Sequence, residues 1–213
     1  MPIDALVTFI IATVVLSLAP GPDNIFVLAQ SALYGKKTGV LVTLGLSTGL
    51  LVHTTAVALG VAVVFQTSVL AFTLLKAVGA IYLLYLAWQA FRTAASAIDA
   101  PAPRARSNWA LYRRGIIMNI TNPKVSIFFL AFLPQFASPA QGALAPQIFI
   151  LGGVFLVVSL LIFCAIAVLA GTLGRWLNQS PQAQIYLNRV AGVVFVGLAL
   201  KLVTTTADAS PAW

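Results

Sequence analysis

Long apolar runs separated by short polar gaps dominate the chain of 213 residues. A helix that crosses the hydrocarbon core of a bilayer needs about 20 mainly apolar residues. Six stretches reach that length, at approximately 5–33, 38–64, 69–91, 113–133, 144–170 and 185–205. The pattern therefore predicts an all-α integral membrane protein with six transmembrane helices. Lipid offers no hydrogen-bond partners to the backbone, and in a helix the backbone N–H and C=O groups bond to each other.

The polar gaps predict how the chain is divided and oriented. The segment 92–112 contains prolines and arginines, and it separates three helices in residues 1–91 from three in residues 113–213. Nine of the twelve Lys and Arg residues lie in or beside the first, third and fifth connections. Since basic loops face the cytoplasm, 92–112 is predicted to be a cytoplasmic linker and both termini to lie outside.

Composition agrees with a membrane protein and argues against other classes. Hydrophobic residues make up 61% of the chain and charged residues 8%, whereas soluble domains carry about 25% charged residues. The net charge of +8 is spread over loops rather than gathered on one polar surface, so no nucleic-acid partner is predicted. One cysteine excludes an intramolecular disulfide and a CxxC redox pair.

Two sequence matches suggest an internal repeat. "LAPGPDNIFVLA" (18–29) and "ITNPKVSIFFLA" (120–131) align when Pro22 is placed over Pro123, which also puts Asp23 over Lys124. "LKAVGAIYLLYLA" (75–87) aligns with "NRVAGVVFVGLA" (188–199) in the same order. Because each half holds three helices, two similar halves would be inverted relative to each other. We predict a 3+3 inverted repeat.

Prolines interrupt the first and fourth predicted helices near mid-bilayer. Pro20 and Pro22 have no N–H, so the carbonyls of Leu16 and Leu18 lose their helical partners. Pro123 does the same to the carbonyl of Asn119. The breaks are predicted at Pro20-Gly21-Pro22 and at Asn122-Pro123, with a new half-helix starting after each. The predicted substrate site consists of Pro20, Gly21, Pro22, Asp23, Asn24, Asn119, Asn122, Pro123 and Lys124.

The chemistry of the breaks suits a zwitterion. Helix N-termini attract an anion such as a carboxylate, and freed carbonyls accept hydrogen bonds from a cation. Intramembrane charges normally face a partner or a wet cavity. Asp23 and Lys124 could pair with each other across the repeat, or could bind the ammonium and carboxylate of a substrate, and both roles are compatible.

A family resemblance rests on "LAPGPDNIFVL", "TNPKVSIFFLAFLPQF" and "LKAVGAIYLLYLAWQAF". These stretches resemble the lysine exporter (LysE) superfamily, and most of all its homoserine/threonine-efflux (RhtB-type) branch. The resemblance implies a multi-pass protein of the bacterial inner membrane that exports a small amino acid or derivative by secondary active transport driven by protons. It implies a transporter, not an enzyme, without cofactor.

Two residues are candidates for proton coupling, and several alternatives stay open. Asp23 is the stronger candidate because it is a carboxylate in an apolar setting, and His53 shares a helix face with small residues. The alternative function is cation or metal efflux with the same architecture, but one Cys, one His and no Glu predict no metal site. Small-residue faces could pack within one chain or between two, which leaves a homodimer open.

Overall fold

A computed structural model describes residues 3–67, 69–93 and 107–204, and these residues are helical almost throughout. The helices are α1 Ile3–Leu18, α2 Pro22–Tyr34, α3 Lys36–Thr67, α4 Val69–Arg92, α5 Asn108–Ile120, α6 Pro123–Ile127, α7 Leu144–Gln179 and α8 Pro181–Thr204. A π-helical turn, Phe128–Phe132, follows α6 directly, and 3-10 turns follow at Leu133–Phe136 and Pro139–Gln141.

Within the described residues, three helices are long and apolar enough to cross a bilayer: α3 over Lys36–Gly60, α7 over Leu144–Leu173, and α8. Two bent pairs qualify if each counts as one span, which gives up to five. The first pair is α1 with α2, bent by 57°, and the second is α5 with Pro123–Phe136, bent by 49°. The prediction of an all-α membrane protein is confirmed. The span predicted at 69–91 corresponds to α4 and stays a prediction.

Helix ends depart from the predicted spans in two places. Helix α7 continues nine residues past the predicted end at 170. The prediction followed the apolar stretch, whereas the helical backbone hydrogen bonds continue through the more polar residues after it. α5 begins inside the predicted linker, where the Ser107 side chain accepts a hydrogen bond from the Ala110 amide and caps the helix. Residues 94–106 of that linker lie outside the described residues.

Helix α3 packs closely against α5 and α7, and α4 packs against α8. Small residues permit the α3–α5 approach. A Cβ added at Gly115 would lie 3.0 Å from Gly45 Cα, and one added at Gly49 would lie 2.7 Å from the Asn119 side chain. The backbones can therefore approach closely, as in other membrane helix pairs with small residues at the contact.

An aromatic core lies behind the second break. Phe128 and Phe129 each contact Phe155, with ring centroids 5.4 and 4.9 Å apart. The backbone here is π-helical, and the Leu133 amide bonds to the Phe128 carbonyl five residues earlier. Pro134 has no N–H and cannot donate the hydrogen bond that an α-helix would need at this position. The π-helical turn keeps buried carbonyls hydrogen-bonded there. This core supports the residues that carry the second break.

Candidate functional site

The first break is an extended residue between two helices. α1 ends at Leu18, Gly21 has φ −171° and ψ 175°, and α2 starts at Pro22. No side chain caps the N-terminus of α2, so its first amides have no side-chain acceptor. The Asn24 side chain instead donates to the Ser17 carbonyl at 2.6 Å, which ties α2 back to the end of α1.

The second break is capped. Asn122 precedes α6 with extended backbone angles, and its side-chain oxygen accepts from the Lys124 amide at 3.0 Å. This is an N-cap of the ordinary kind, with proline in the first turn. Both breaks therefore lie where the prolines predicted them, but only the N-terminus of α2 lacks a side-chain cap.

Lys124 joins the two breaks. Its side chain is 9% exposed, and its ammonium donates to the carbonyls of Leu16 at 3.1 Å and Ala19 at 3.0 Å. The Leu16 carbonyl is one of those that Pro20 deprives of a helical partner. In this structure the cation at these carbonyls is therefore Lys124, a side chain of the protein and not a ligand. Gly21 lets it come close, because a Cβ there would lie 3.1 Å from the nitrogen.

Asp23 bonds to the other break through an amide. The Asn122 side-chain N–H donates to Asp23 Oδ2 at 2.9 Å, and the carboxylate is 4% exposed. In the described structure Asp23 and Lys124 form no ion pair, since the ammonium bonds to the two carbonyls and Asp23 Oδ1 has no hydrogen-bond partner. The direct pair is therefore not formed, although both side chains border the same cavity.

That central cavity has a volume of about 20 Å³, which is room for one water molecule. Helices α1, α2, α3, α5, α6 and α7 contribute to its walls. Four buried side-chain oxygens in the described part of the chain lack a hydrogen-bond partner, and those of Ser17, Asp23 and Asn119 belong to residues that line it. The fourth is Asn24 Oδ1. Buried polar atoms are normally paired, so this group of oxygens is unusual and calls for a small donor or cation.

A larger cavity of about 270 Å³ lies on the other side of the first break. It is bordered by Ala19 to Pro22, by the last turns of α4, by the first half of α8, and by Lys124. Lys124 is a wall residue of both cavities. Of the predicted site residues, Pro20, Gly21 and Pro22 line only the larger cavity, and Asp23 and Asn119 line only the central one.

His53 lies beside the site without lining either described cavity. Its Nε2–H donates to the Asn119 carbonyl at 3.2 Å, and its ring lies 5.7 Å from that of Phe129. Asn119 is the residue whose carbonyl Pro123 deprives of a helical partner. His53 therefore supplies a donor to a second carbonyl at the breaks.

Sequence reasoning missed Gln89 of α4, Thr93 directly after α4, and Asn188 of α8, which line the larger cavity. Asn188 offered a signal, since an amide in the predicted sixth span is expensive in lipid. His, Cys, Asp and Glu do not form a metal-sized group of three or more anywhere in the described ranges.

Comparison with known proteins decides the family. Residues 14–206 match the family described as LysE type translocator. The chain belongs to the LysE family. It is a membrane translocator and not an enzyme, as the resemblance in its motifs implied.

Similarity to individual LysE relatives covers most of the chain. A homoserine/homoserine lactone efflux protein of Salmonella typhimurium is 36% identical over 88% of this chain and 90% of the relative. A leucine efflux protein of Salmonella choleraesuis is 29% identical over 92% and 93%. A membrane protein of Vibrio cholerae is 32% identical over 97% and 100%. No solved structure matches the chain.

The cap of α6 gives a prediction that separates function from stability. Asn122→Ala removes both the cap and the hydrogen bond to Asp23, whereas Ser107→Ala removes only the cap of α5. We expect Ser107→Ala to lose about 1 kcal/mol of stability, and Asn122→Ala to lose more, because it also removes a donor from the buried Asp23 carboxylate. Only Asn122→Ala should lower the transport rate, by about tenfold, as measured in proteoliposomes beside the melting temperature. Equal transport rates in the two variants would contradict this assignment.

Proposed function

We propose that this LysE translocator exports a small amino acid, or an amino-acid derivative, across a bacterial inner membrane. The observation that carries the proposal is the meeting of two broken helices at which Lys124 and Asp23 face one cavity. Binding sites of secondary transporters are built in this way, from helix breaks near mid-bilayer. The names of the Salmonella relatives, homoserine/homoserine lactone efflux protein and leucine efflux protein, support an amino acid as the substrate.

The substrate's two charges have complementary groups at the breaks. The N-terminus of α2 has no side-chain cap and Lys124 carries a positive charge, so both favour a carboxylate. Asp23 Oδ1 and the Asn119 side-chain oxygen are unpaired acceptors, and they favour an ammonium group. The proposed substrate site therefore retains the nine predicted residues at the two breaks.

Alternating access follows from a 3+3 inverted repeat, which the helix contacts support. α3 packs against α7, and α4 against α8, which are the helices that the repeat would relate. α3 also packs against α5, and α7 against α1 and α2, as corresponding pairs would. We propose that the two halves rock about these contacts, with both termini outside and the 92–112 linker in the cytoplasm.

Proton coupling is proposed to run through Asp23. Its unpaired oxygen borders a cavity with room for one water molecule, so a proton has a way to reach the carboxylate. His53 bonds to the Asn119 carbonyl and could transmit a change to the same site. A carboxylate that is neutral in one state and charged in the other gives the two conformations different affinity for protons.

Counterflow tests the proposed function. Purified protein in proteoliposomes loaded with an unlabelled amino acid is expected to take up the same labelled amino acid against its gradient. The panel should include homoserine, threonine and leucine, with and without an imposed pH gradient. Exchange of one or more of these by the protein, and not by empty liposomes, supports the proposal. If no amino acid exchanges, the proposal is wrong.

A further inference from the structure

The larger cavity contains a polar side chain that nothing in the protein satisfies. Asn188 of α8 lines it and is 6% exposed, and within the described structure its amide has no hydrogen-bond partner. An amide without a partner costs about 1–3 kcal/mol once it is cut off from water, and the Asn188 amide faces the cavity, so an occupant of the cavity decides whether it is paired. Such a group is expected to have a partner in the working protein.

Size distinguishes this cavity from the central one. About 20 Å³ at the centre admits a single water molecule, whereas a free amino acid is several times larger. About 270 Å³ in the larger cavity leaves room for a small amino acid. Of these two cavities among the described residues, the larger one has room for a substrate in this conformation, and the central one has room for a water molecule.

The walls of the larger cavity have distinct chemistry at different points. The N-terminus of α2, which has no side-chain cap, and the ammonium of Lys124 border it and favour a carboxylate. Asn188 lies on α8 with Ala191 and Phe195, which offer an apolar surface along the same helix face. An amide among apolar residues offers a ligand an NH2 group that donates and a carbonyl oxygen that accepts, on a wall that is otherwise apolar.

We propose that this cavity is the substrate-loading site and that Asn188 selects amino acids with a hydrogen-bonding side chain, such as a hydroxyl, over hydrocarbon ones. This assignment rests on the proposed function. The carboxylate lies towards Lys124 and α2, and the side chain lies towards Asn188. The cavity is bordered by the last turns of α4 and the first half of α8, both at the predicted cytoplasmic end, which is where an exporter takes up its substrate.

The selection follows from the cost of leaving the Asn188 amide without a hydrogen-bond partner when the wrong ligand is bound. A hydroxyl-bearing substrate pairs with the Asn188 amide, whereas a hydrocarbon side chain covers it and removes its remaining access to water. Sites built to hydrogen-bond a substrate group reject analogues without it for this reason. Replacement of Asn188 by leucine removes the penalty and supplies an apolar surface.

The test compares labelled homoserine with labelled leucine in counterflow by wild type and Asn188→Leu. Wild type is expected to prefer homoserine. The variant should exchange homoserine about tenfold more slowly and leucine as fast as wild type or faster. Asn188→Ser, which replaces the amide by a hydroxyl that can also donate and accept, should retain part of the homoserine preference. Gln182→Leu changes an exposed residue of the same helix and should alter neither rate.

The outcomes separate this inference from the proposed function. Preference for leucine in the wild type, an equal loss of both substrates in Asn188→Leu, or no change in either would overturn the role of Asn188 while amino-acid exchange persists. Absence of exchange of any amino acid by the wild type would overturn the proposed function itself. If Asn188→Leu does not fold, judged by gel filtration and melting, Asn188→Ala in its place must shift the same ratio towards leucine.

Discussion

Lys124→Met is expected to lower the rate of amino-acid transport about 100-fold or more. The ammonium makes two hydrogen bonds to buried carbonyls, of Leu16 and Ala19, and each bond from a charged donor contributes about 1.5–3 kcal/mol. Methionine keeps the length of the side chain but leaves both carbonyls without a donor in an environment that lacks water. The variant also loses the charge that we assign to the carboxylate of the substrate.

Counterflow of the preferred amino acid measures this loss, and Lys37→Met is the matched control. Lys37 is exposed at the start of α3, so its replacement should leave the rate within a factor of about two. Lys124→Arg keeps a charge but brings a larger planar group to a space bounded by Gly21, where a Cβ would already lie 3.1 Å from the nitrogen. It should recover less than a tenth of the wild-type rate. Normal transport by Lys124→Met would remove Lys124 from the proposed site.

Asp23→Asn is expected to abolish uphill export driven by a pH gradient and to leave exchange within about threefold of wild type. Asparagine has the same shape, and its oxygen can still accept the hydrogen bond from Asn122. It cannot take up or release a proton. Binding and the rocking of the halves should therefore continue, whereas the link to the proton gradient should be lost.

The measurement for Asp23→Asn needs two assays on the same vesicles: counterflow without a gradient, and accumulation under an imposed pH difference. Asp4→Asn is the control, since Asp4 is an exposed carboxylate in the first turn of α1. Uphill accumulation by Asp23→Asn would show that the proton is carried elsewhere, and His53 would then be the next residue to replace. Loss of exchange together with accumulation would show that an acceptor oxygen at this position is not enough, and that the ammonium of the substrate needs the negative charge of Asp23.

The sequence predicted the breaks well because the effect of proline is local. Pro20 and Pro22 remove N–H groups whatever surrounds them, so the ends of α1 and the start of α2 follow from the sequence. The freed carbonyl of Leu16 was expected to accept from the ammonium of a substrate, whereas in the structure it accepts from the ammonium of Lys124. The identity of that cation was beyond sequence reasoning, because Lys124 is 108 residues away and reaches it only through packing.

Charge alone left the contact between the breaks open. Opposite charges at aligned positions allowed either a direct pair of Asp23 and Lys124 or a substrate site, and in the structure the Asn122 amide donates to the carboxylate while the Lys124 ammonium donates to backbone carbonyls. Backbone carbonyls that lose their helical partner to a proline compete with carboxylates for the ammonium of a lysine. A comparison of side-chain charges alone does not take these carbonyls into account. Asn188 was missed for a related reason, since its importance depends on an empty volume that only the packed helices define.

The two breaks contribute different groups to the contact between them. The two halves of the chain therefore cannot replace each other. The first half supplies the buried carbonyls and the carboxylate, and the second half supplies the ammonium and the amide that donate to them. Two copies of the first half would bring together two carboxylates with no cation, and two copies of the second would bring together two ammonium groups. A gene encoding either half alone should therefore give no working homodimer, whereas co-expression of both halves as separate chains could restore the pair.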